Sequence, residues 1–254
     1  MVIPWTIRSR YPYSPTGDFP LPPATPFLEP LSTLALVAGA TERIRLGTSV
    51  LVLPHRHPVL AAKTLATLDR LAPGRIILGA GVGWMREEIE LLGVDHARRG
   101  AWSDEALRVI RTCWQDERAA FAGEFFRFEA VACSPRPAPG AIPIWIGGHT
   151  ARALRRVAEL GDGWHAAFPT LAELSKSLGQ LRETCRRSGR DPGTLTLSAR
   201  VGLAARRPAD ELVAELRGLR DLGIEHVILE SRIRDLPDLT ATYTRFAQDV
   251  RPRV

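Results

Sequence analysis

Residues 44–53 read Ile44-Arg45-Leu46-Gly47-Thr48-Ser49-Val50-Leu51-Val52-Leu53. No charge follows Arg45 in this run, and its apolar residues are consecutive rather than alternating. That is the pattern of a strand covered on both faces. A helix follows from Val59 to Leu71, with Leu60, Lys63, Thr64, Thr67 and Leu68 at helical spacing. Next comes a second strand from Arg75 to Gly81, closed by Gly81-Val82-Gly83. Strand, helix and strand in this order make a βα unit with parallel strands.

The same alternation extends toward the C-terminus. Strands are expected at Ile142–Gly147, Gly163–Ala167, Leu195–Leu203 and His226–Glu230. Helices are expected at Thr150–Leu160, Leu171–Ser188, Asp210–Leu222 and Leu236–Val250. The stretch 84–141 is a longer insertion, with a helix at Ser103–Gln115 whose Leu107, Ile110 and Trp114 face one way. An aromatic hairpin around Phe121–Phe128 follows it. On the other side, a further helix spans Leu31–Ala40. Residues 1–30 form a loop, because Pro4, Pro12, Pro15, Pro20, Pro22, Pro23, Pro26 and Pro30 block regular structure. Repeated βα units fit an open doubly wound sheet or a (β/α) barrel. Six strands are expected, two short of a full barrel.

The chain has 254 residues, 45% hydrophobic and 24% charged, enough for a sizeable core, and one α/β domain spanning 1–254 is expected. Its 34 basic and 28 acidic residues give a net charge of +6. Nucleic-acid binding does not follow. The only lysines are Lys63 and Lys176, Asn is absent, and the arginines are scattered among Glu and Asp. Such a skew is what GC-rich coding produces. Cys113, Cys133 and Cys185 are odd in number and form no CxxC pair, so neither a disulfide framework nor a zinc ribbon is expected. Residues 1–10 lack the apolar run of a signal peptide, and no stretch approaches a membrane span. A cytoplasmic protein with no nucleic-acid or membrane partner is expected.

The segment Thr41–Trp164 resembles the luciferase-like monooxygenase superfamily, and within it the actinobacterial flavin- or deazaflavin-dependent oxidoreductases. The resemblance lies in Thr41-Glu42-Arg43-Ile44-Arg45-Leu46-Gly47-Thr48-Ser49-Val50, Leu53-Pro54-His55-Arg56-His57-Pro58 and Thr67-Leu68-Asp69-Arg70-Leu71. It continues in Leu78-Gly79-Ala80-Gly81-Val82-Gly83-Trp84, Pro143-Ile144-Trp145-Ile146-Gly147-Gly148-His149 and Gly161-Asp162-Gly163-Trp164-His165. Their order and spacing across half the chain carry the match. The resemblance implies a (β/α)8 barrel of TIM type with its site at the C-terminal strand ends. The six strands then correspond to the third to eighth, and the barrel is incomplete.

The resemblance also implies a set of cofactor contacts. Ser49-Val50 would be a non-prolyl cis peptide against the flavin ring, Gly81 would lie beside the ring, and Trp164 would stand in the pocket wall. The turn Gly147-Gly148-His149 would face the phosphate side. This agrees with elementary chemistry, since glycines let backbone N–H groups approach a phosphate and a helix start favours its charge. The implied cofactor is coenzyme F420, favoured by the subgroup and the composition, with FMN the alternative. The substrate would be a small organic molecule. His55 and His57, at a strand end, are the candidate acid–base residues.

Three other readings are weighed. Gly79-Ala80-Gly81-Val82-Gly83 looks like a dinucleotide fingerprint, but Trp84 replaces the final glycine and no acidic residue ends a next strand. His55-Arg56-His57, joined by His149 and His165, could ligate the metal of a barrel hydrolase. Pro54 and Pro58 bracket the pair, however, and no Asp closes the last strand, so no metal site is expected. The third reading is an inactive, incomplete barrel acting as a scaffold. An incomplete barrel has open edges at Ile44–Leu53 and His226–Glu230. Cover by residues 1–30 or by a second copy is expected, and hence a homodimer.

Overall fold

The computed structural model describes residues 1–167 and 170–254. The chain forms two compact units, residues 1–144 and 145–254.

In the first unit, residues 1–29 contain no helix or strand. Regular structure begins with α1 (Pro30–Ala40), started by proline and capped by the Glu29 carboxylate, which accepts from the Ser32 amide at 2.7 Å. Next come β1 (Leu46–Gly47) and β2 (Leu51–Val52), a 3₁₀ turn at Leu53–His55, α2 (Pro58–Leu71) and β3 (Ile76–Gly81). Both short strands pair with β3 in parallel, Leu46 opposite Ile76 and Leu51 opposite Ala80. Every residue of β3 is buried, which accounts for its unbroken apolar run.

The single strand expected at Ile44–Leu53 is therefore two strands. Ser49 and Val50 leave the ladder after Thr48, whose amide still donates to Ile77 O at 3.4 Å, and the sequence on β3 shows why they can. A Cβ at Gly79 would lie 1.8 Å from the Thr48 carbonyl oxygen, and one at Gly81 would lie 2.4 Å from Val50 Cγ2. Both glycines are needed for the 48–50 segment to lie this close.

The insertion opens with a helix that was not anticipated, α3 (Arg86–Leu91). Then α4 runs Arg99–Gln115, four residues longer at its start than its apolar spacing indicated. Leu107 and Ile110 are fully buried, Trp114 is nearly so, and the Trp114 indole donates to Ala62 O at 3.0 Å. The aromatic hairpin is β4 (Ala119–Ala122) paired antiparallel with β5 (Arg127–Val131). Its turn is organised by the buried Glu105 carboxylate, which accepts from the amides of Glu124, Phe125 and Phe126 at 2.7–2.9 Å.

Residues 2–9 are bound to α3 through three backbone amides. The Val2 amide donates to Glu88 Oε1 at 2.6 Å. The Arg8 and Ser9 amides donate to Glu87 Oε1 at 2.7 and 3.1 Å. Tyr11 and Phe19 pack on the Trp84 ring.

The second unit takes in β6 (Ile144–Gly147) from Trp145 onward. It continues with α5 (Ala151–Leu160), β7 (Gly163–Ala167), α6 (Leu171–Arg187), β8 (Thr196–Gly202), α7 (Ala209–Asp221), β9 (His226–Glu230) and α8 (Leu236–Arg245). Strands β6 to β9 are parallel neighbours in sequence order. Thr170 and Glu173 form a reciprocal capping box at the start of α6. The last helix stops earlier than expected, with residues 246–250 in a π turn.

These strands are not uniformly apolar. In register, Gly147, His165, Ser198 and His226 lie side by side, and because successive residues alternate faces, Trp145, Arg200 and Glu230 share their side. The opposite face carries Ile146, Trp164, Ala166, Ala199 and Val201, all buried. One polar and one apolar face replace the two apolar faces read from the sequence.

Candidate functional site

In the first unit, the Ser49–Val50 peptide is cis, the geometry the resemblance implies there. Thr48 Oγ1 donates to Gly79 O at 2.7 Å and fixes the entry to this link. Ser49 and Val50 are half-buried and Gly81 is buried. Gly83, at φ +77°, continues the close packing, since a Cβ there would lie 2.7 Å from Val52 Cγ1. The glycine series 79–83 thus serves strand packing and not a dinucleotide turn.

The two candidate acid–base histidines have different surroundings. His55 Nε2 lies 3.2 Å from Glu88 Oε2, with its side chain 12% exposed and that of Glu88 3%. His57 is exposed at the N-cap of α2, and its ring meets Phe126 edge to face at 5.3 Å. The structure gives His55 a buried carboxylate neighbour, and among the described residues His57 has none. Among the described residues, no three His, Cys, Asp or Glu side chains are placed to hold a metal ion.

In the second unit, β6 runs into Gly147-Gly148-His149-Thr150 and then α5. Gly148 has φ +111°, a conformation that L side chains rarely adopt. Thr150 caps the helix, its Oγ1 accepting from the Ala153 amide at 3.2 Å. No acidic residue stands in the first turn of α5, so the positive end of its dipole is not offset there. Gly147 and Gly148 are half-buried, while His149 is exposed. These residues fit the anionic side of a phosphate-bearing cofactor.

Trp164 stands beneath this turn. It is 1% exposed, and its indole N–H donates to Gly148 O at 2.7 Å. It braces the turn from the apolar face, so its reach to a ligand is through Gly148.

Sequence reasoning passed over most of the polar face of β6–β9. His165, 2% exposed, shares a 2.6 Å hydrogen bond between its Nδ1 and Ser198 Oγ. Burial, then the charges of Arg200 and His226, lower its pKa to about 4, so the ring is neutral near pH 7. Arg200 Nε lies 3.1 Å from Glu230 Oε2, and the Trp145 and His226 rings meet at 5.0 Å. The signal was present in Thr196-x-Ser198-x-Arg200, whose period of two marks a strand with one polar face.

A family model described as luciferase-like monooxygenase matches residues 10–246. The chain belongs to that family. The uncharacterized protein Rv0940c of Mycobacterium tuberculosis is 31% identical over 231 residues, 91% of this chain and 77% of that one. Two solved structures share the fold. An F420-dependent secondary alcohol dehydrogenase, in complex with an F420–acetone adduct, superposes with TM-score 0.78 at 18% identity, over 89% of this chain and 84% of that one. The monooxygenase RslO1 of Streptomyces bottropensis gives 0.76 at 21%, over 88% and 82%. The fold class is an incomplete (β/α)8 barrel, with six parallel strand positions among the described residues, β1 and β2 counting as one. Among the described residues, no helix is long and apolar enough to cross a membrane.

Proposed function

We propose that this chain is an oxidoreductase that binds coenzyme F420 and oxidises or reduces a small organic substrate by hydride transfer. The observation that carries the reading is the Gly147–Thr150 turn. There a glycine at φ +111°, braced by Trp164, precedes a helix start without acidic residues. In the second unit, Gly147, Gly148 and His149 hold the coenzyme's anionic side; for Ser49, Val50 and Gly81 of the first unit, a role as ring contacts rests on the family resemblance alone. His55, with its Nε2 3.2 Å from the buried Glu88 carboxylate, is the proposed acid–base residue. When bound, F420 supplies two-electron hydride chemistry, whereas FMN would also support reaction with oxygen. The family match and the likeness to an F420-dependent dehydrogenase support the coenzyme. The likeness to a monooxygenase favours FMN as the second reading. We further propose that the chain works as a homodimer.

The test is turnover. Purified protein with oxidised F420 is offered a panel of small secondary alcohols while the coenzyme's visible absorption is followed. Bleaching that depends on one of them supports the proposal. Bleaching with none of them, together with substrate-dependent oxygen uptake in the presence of FMN, would replace it with the second reading.

A further inference from the structure

In the first unit, one buried carboxylate joins His55 to a segment some fifty residues before it. His55 Nε2 is shut off from solvent, and Glu88 Oε2 stands 3.2 Å away. Apart from Glu88, no polar atom among the described residues bonds to this nitrogen. The other oxygen of the carboxylate is committed as well, because Glu88 Oε1 accepts from the Val2 amide at 2.6 Å. Residues 8 and 9 are held separately. Glu87 Oε1 accepts from the Arg8 and Ser9 amides at 2.7 and 3.1 Å, and Ser9 Oγ donates to Glu87 Oε2 at 2.7 Å. The two neighbouring glutamates of α3 thus differ in use: Glu87 fastens the segment, and Glu88 connects it to His55.

We propose that Glu88 is a positioning residue, itself set by the Val2 amide, that keeps the hydrogen of neutral His55 on Nε2 and leaves Nδ1 to exchange a proton with substrate. The proposal rests on the reading of His55 as the acid–base residue. Its physical ground is that a carboxylate oxygen can only accept. A bare Nε2 at 3.2 Å from Oε2 would set two lone pairs against each other away from solvent, so the hydrogen belongs on Nε2. Nδ1 then carries the free lone pair. When an alcohol is oxidised, Nδ1 takes the hydroxyl proton; when a carbonyl is reduced, the protonated ring gives that proton to the oxygen. The charged ring has the Glu88 carboxylate beside it in either direction. The Val2 amide fixes which way the side chain at 88 can serve. It needs an acceptor at the Oε1 position, and a glutamine meets that need only with its oxygen there. The glutamine NH2 group then faces His55, so Nε2 must accept and the hydrogen moves to Nδ1.

The experiment records the histidine ring nitrogens of the nitrogen-15-labelled protein by NMR at alkaline pH, which keeps histidine neutral. His55→Gln identifies the His55 signals among those of the six histidines. Wild type should show a bare Nδ1 and a protonated Nε2 whose hydrogen exchanges slowly with water. Glu88→Gln should show the reverse tautomer. A wild-type ring with its hydrogen on Nδ1, or with an unprotected Nε2–H, would overturn the proposal, as would the wild-type tautomer in Glu88→Gln. Should Glu88→Gln fail to fold, the wild-type spectrum decides alone. Turnover with F420 is the second readout. Glu88→Gln should lower kcat by about tenfold or more while KM stays near the parental value. A reversed tautomer with parental kcat would remove the positioning role. Parental kcat in His55→Gln would overturn the acid–base reading, and the role of Nδ1 with it, whereas the spectra test the hold of Glu88 on the ring apart from that reading.

Discussion

The indole N–H of Trp164 donates to the carbonyl oxygen of Gly148 at 2.7 Å, so a buried side chain on one strand sets the backbone of the turn leaving its neighbour. Trp164→Phe keeps the apolar packing and removes the donor. It should cost about 1–3 kcal/mol of stability, the range for a buried carbonyl left unmet, and should weaken cofactor binding. Gly148→Leu should go further, because φ +111° is closed to leucine and a Cβ would lie 3.0 Å from that of Ala153. Denaturant melts and cofactor titrations check both, and parental affinity in Gly148→Leu would remove this turn from the site.

Gly79→Ala should be among the most damaging small substitutions in the chain. Its Cβ would sit 1.8 Å from a backbone oxygen of Thr48, with no flexible side chain able to move aside. A loss of about 4 kcal/mol or more is expected, in the range reserved for backbone clashes and strain. Gly74→Ala is the useful comparison, since its Cβ would meet nothing within 4 Å although φ is +69°. A melt showing Gly79→Ala as mild as Gly74→Ala would contradict the close approach of residues 48–50 to β3.

The neutral state of His165 predicts an acid-sensitive fold. Its pKa is lowered to about 4 by burial and by Arg200 and His226, below the ordinary value near 6.5. The unfolded chain therefore takes up a proton at a higher pH than the folded one. Stability from this group is whole above pH ~6.5 and falls as pH drops toward 4, by about 3 kcal/mol in all. In His165→Gln this part of the pH dependence should vanish. Wild type and variant losing stability in parallel over that window would show that other groups carry the acid sensitivity.

How much of this was legible follows from what each residue answers to. The βα order came through because it is written in apolar spacing, which burial alone dictates. The division of Ile44–Leu53 did not, since nothing in that run shows that Gly79 and Gly81, some thirty residues on, let it leave the ladder. The turn at Gly147–Thr150 was readable because glycines before a helix start have few other uses. The role of Glu88 was not legible, as its partners, His55 and the Val2 amide, come from distant parts of the chain. Ser198 and Arg200 were missed when strands were read for hydrophobicity and not for alternation, and His165 was weighed without the polar neighbours it has on β8.

Self-association is expected from the first unit. Leu28, Leu36, Ile44 and Leu60 are 77%, 75%, 52% and 63% exposed, on or next to α1, α2 and β1. Among the described residues, β1 has β3 as its one ladder partner. Sedimentation should show a dimer that Leu36→Glu converts to monomer. A wild-type monomer with a sharp, high-temperature melt would mean that this face is tolerated in water.

The central claim is that the chain holds a deazaflavin coenzyme at the glycine turn, and the direct measurement is a titration of purified protein with F420, followed by the coenzyme's fluorescence. The account predicts saturable quenching with one equivalent per chain, weaker binding of FMN, and loss of the F420 signal in Gly148→Leu while the circular dichroism spectrum is unchanged. Absence of saturable binding of either coenzyme to the folded wild-type protein would contradict it and leave the scaffold reading in its place.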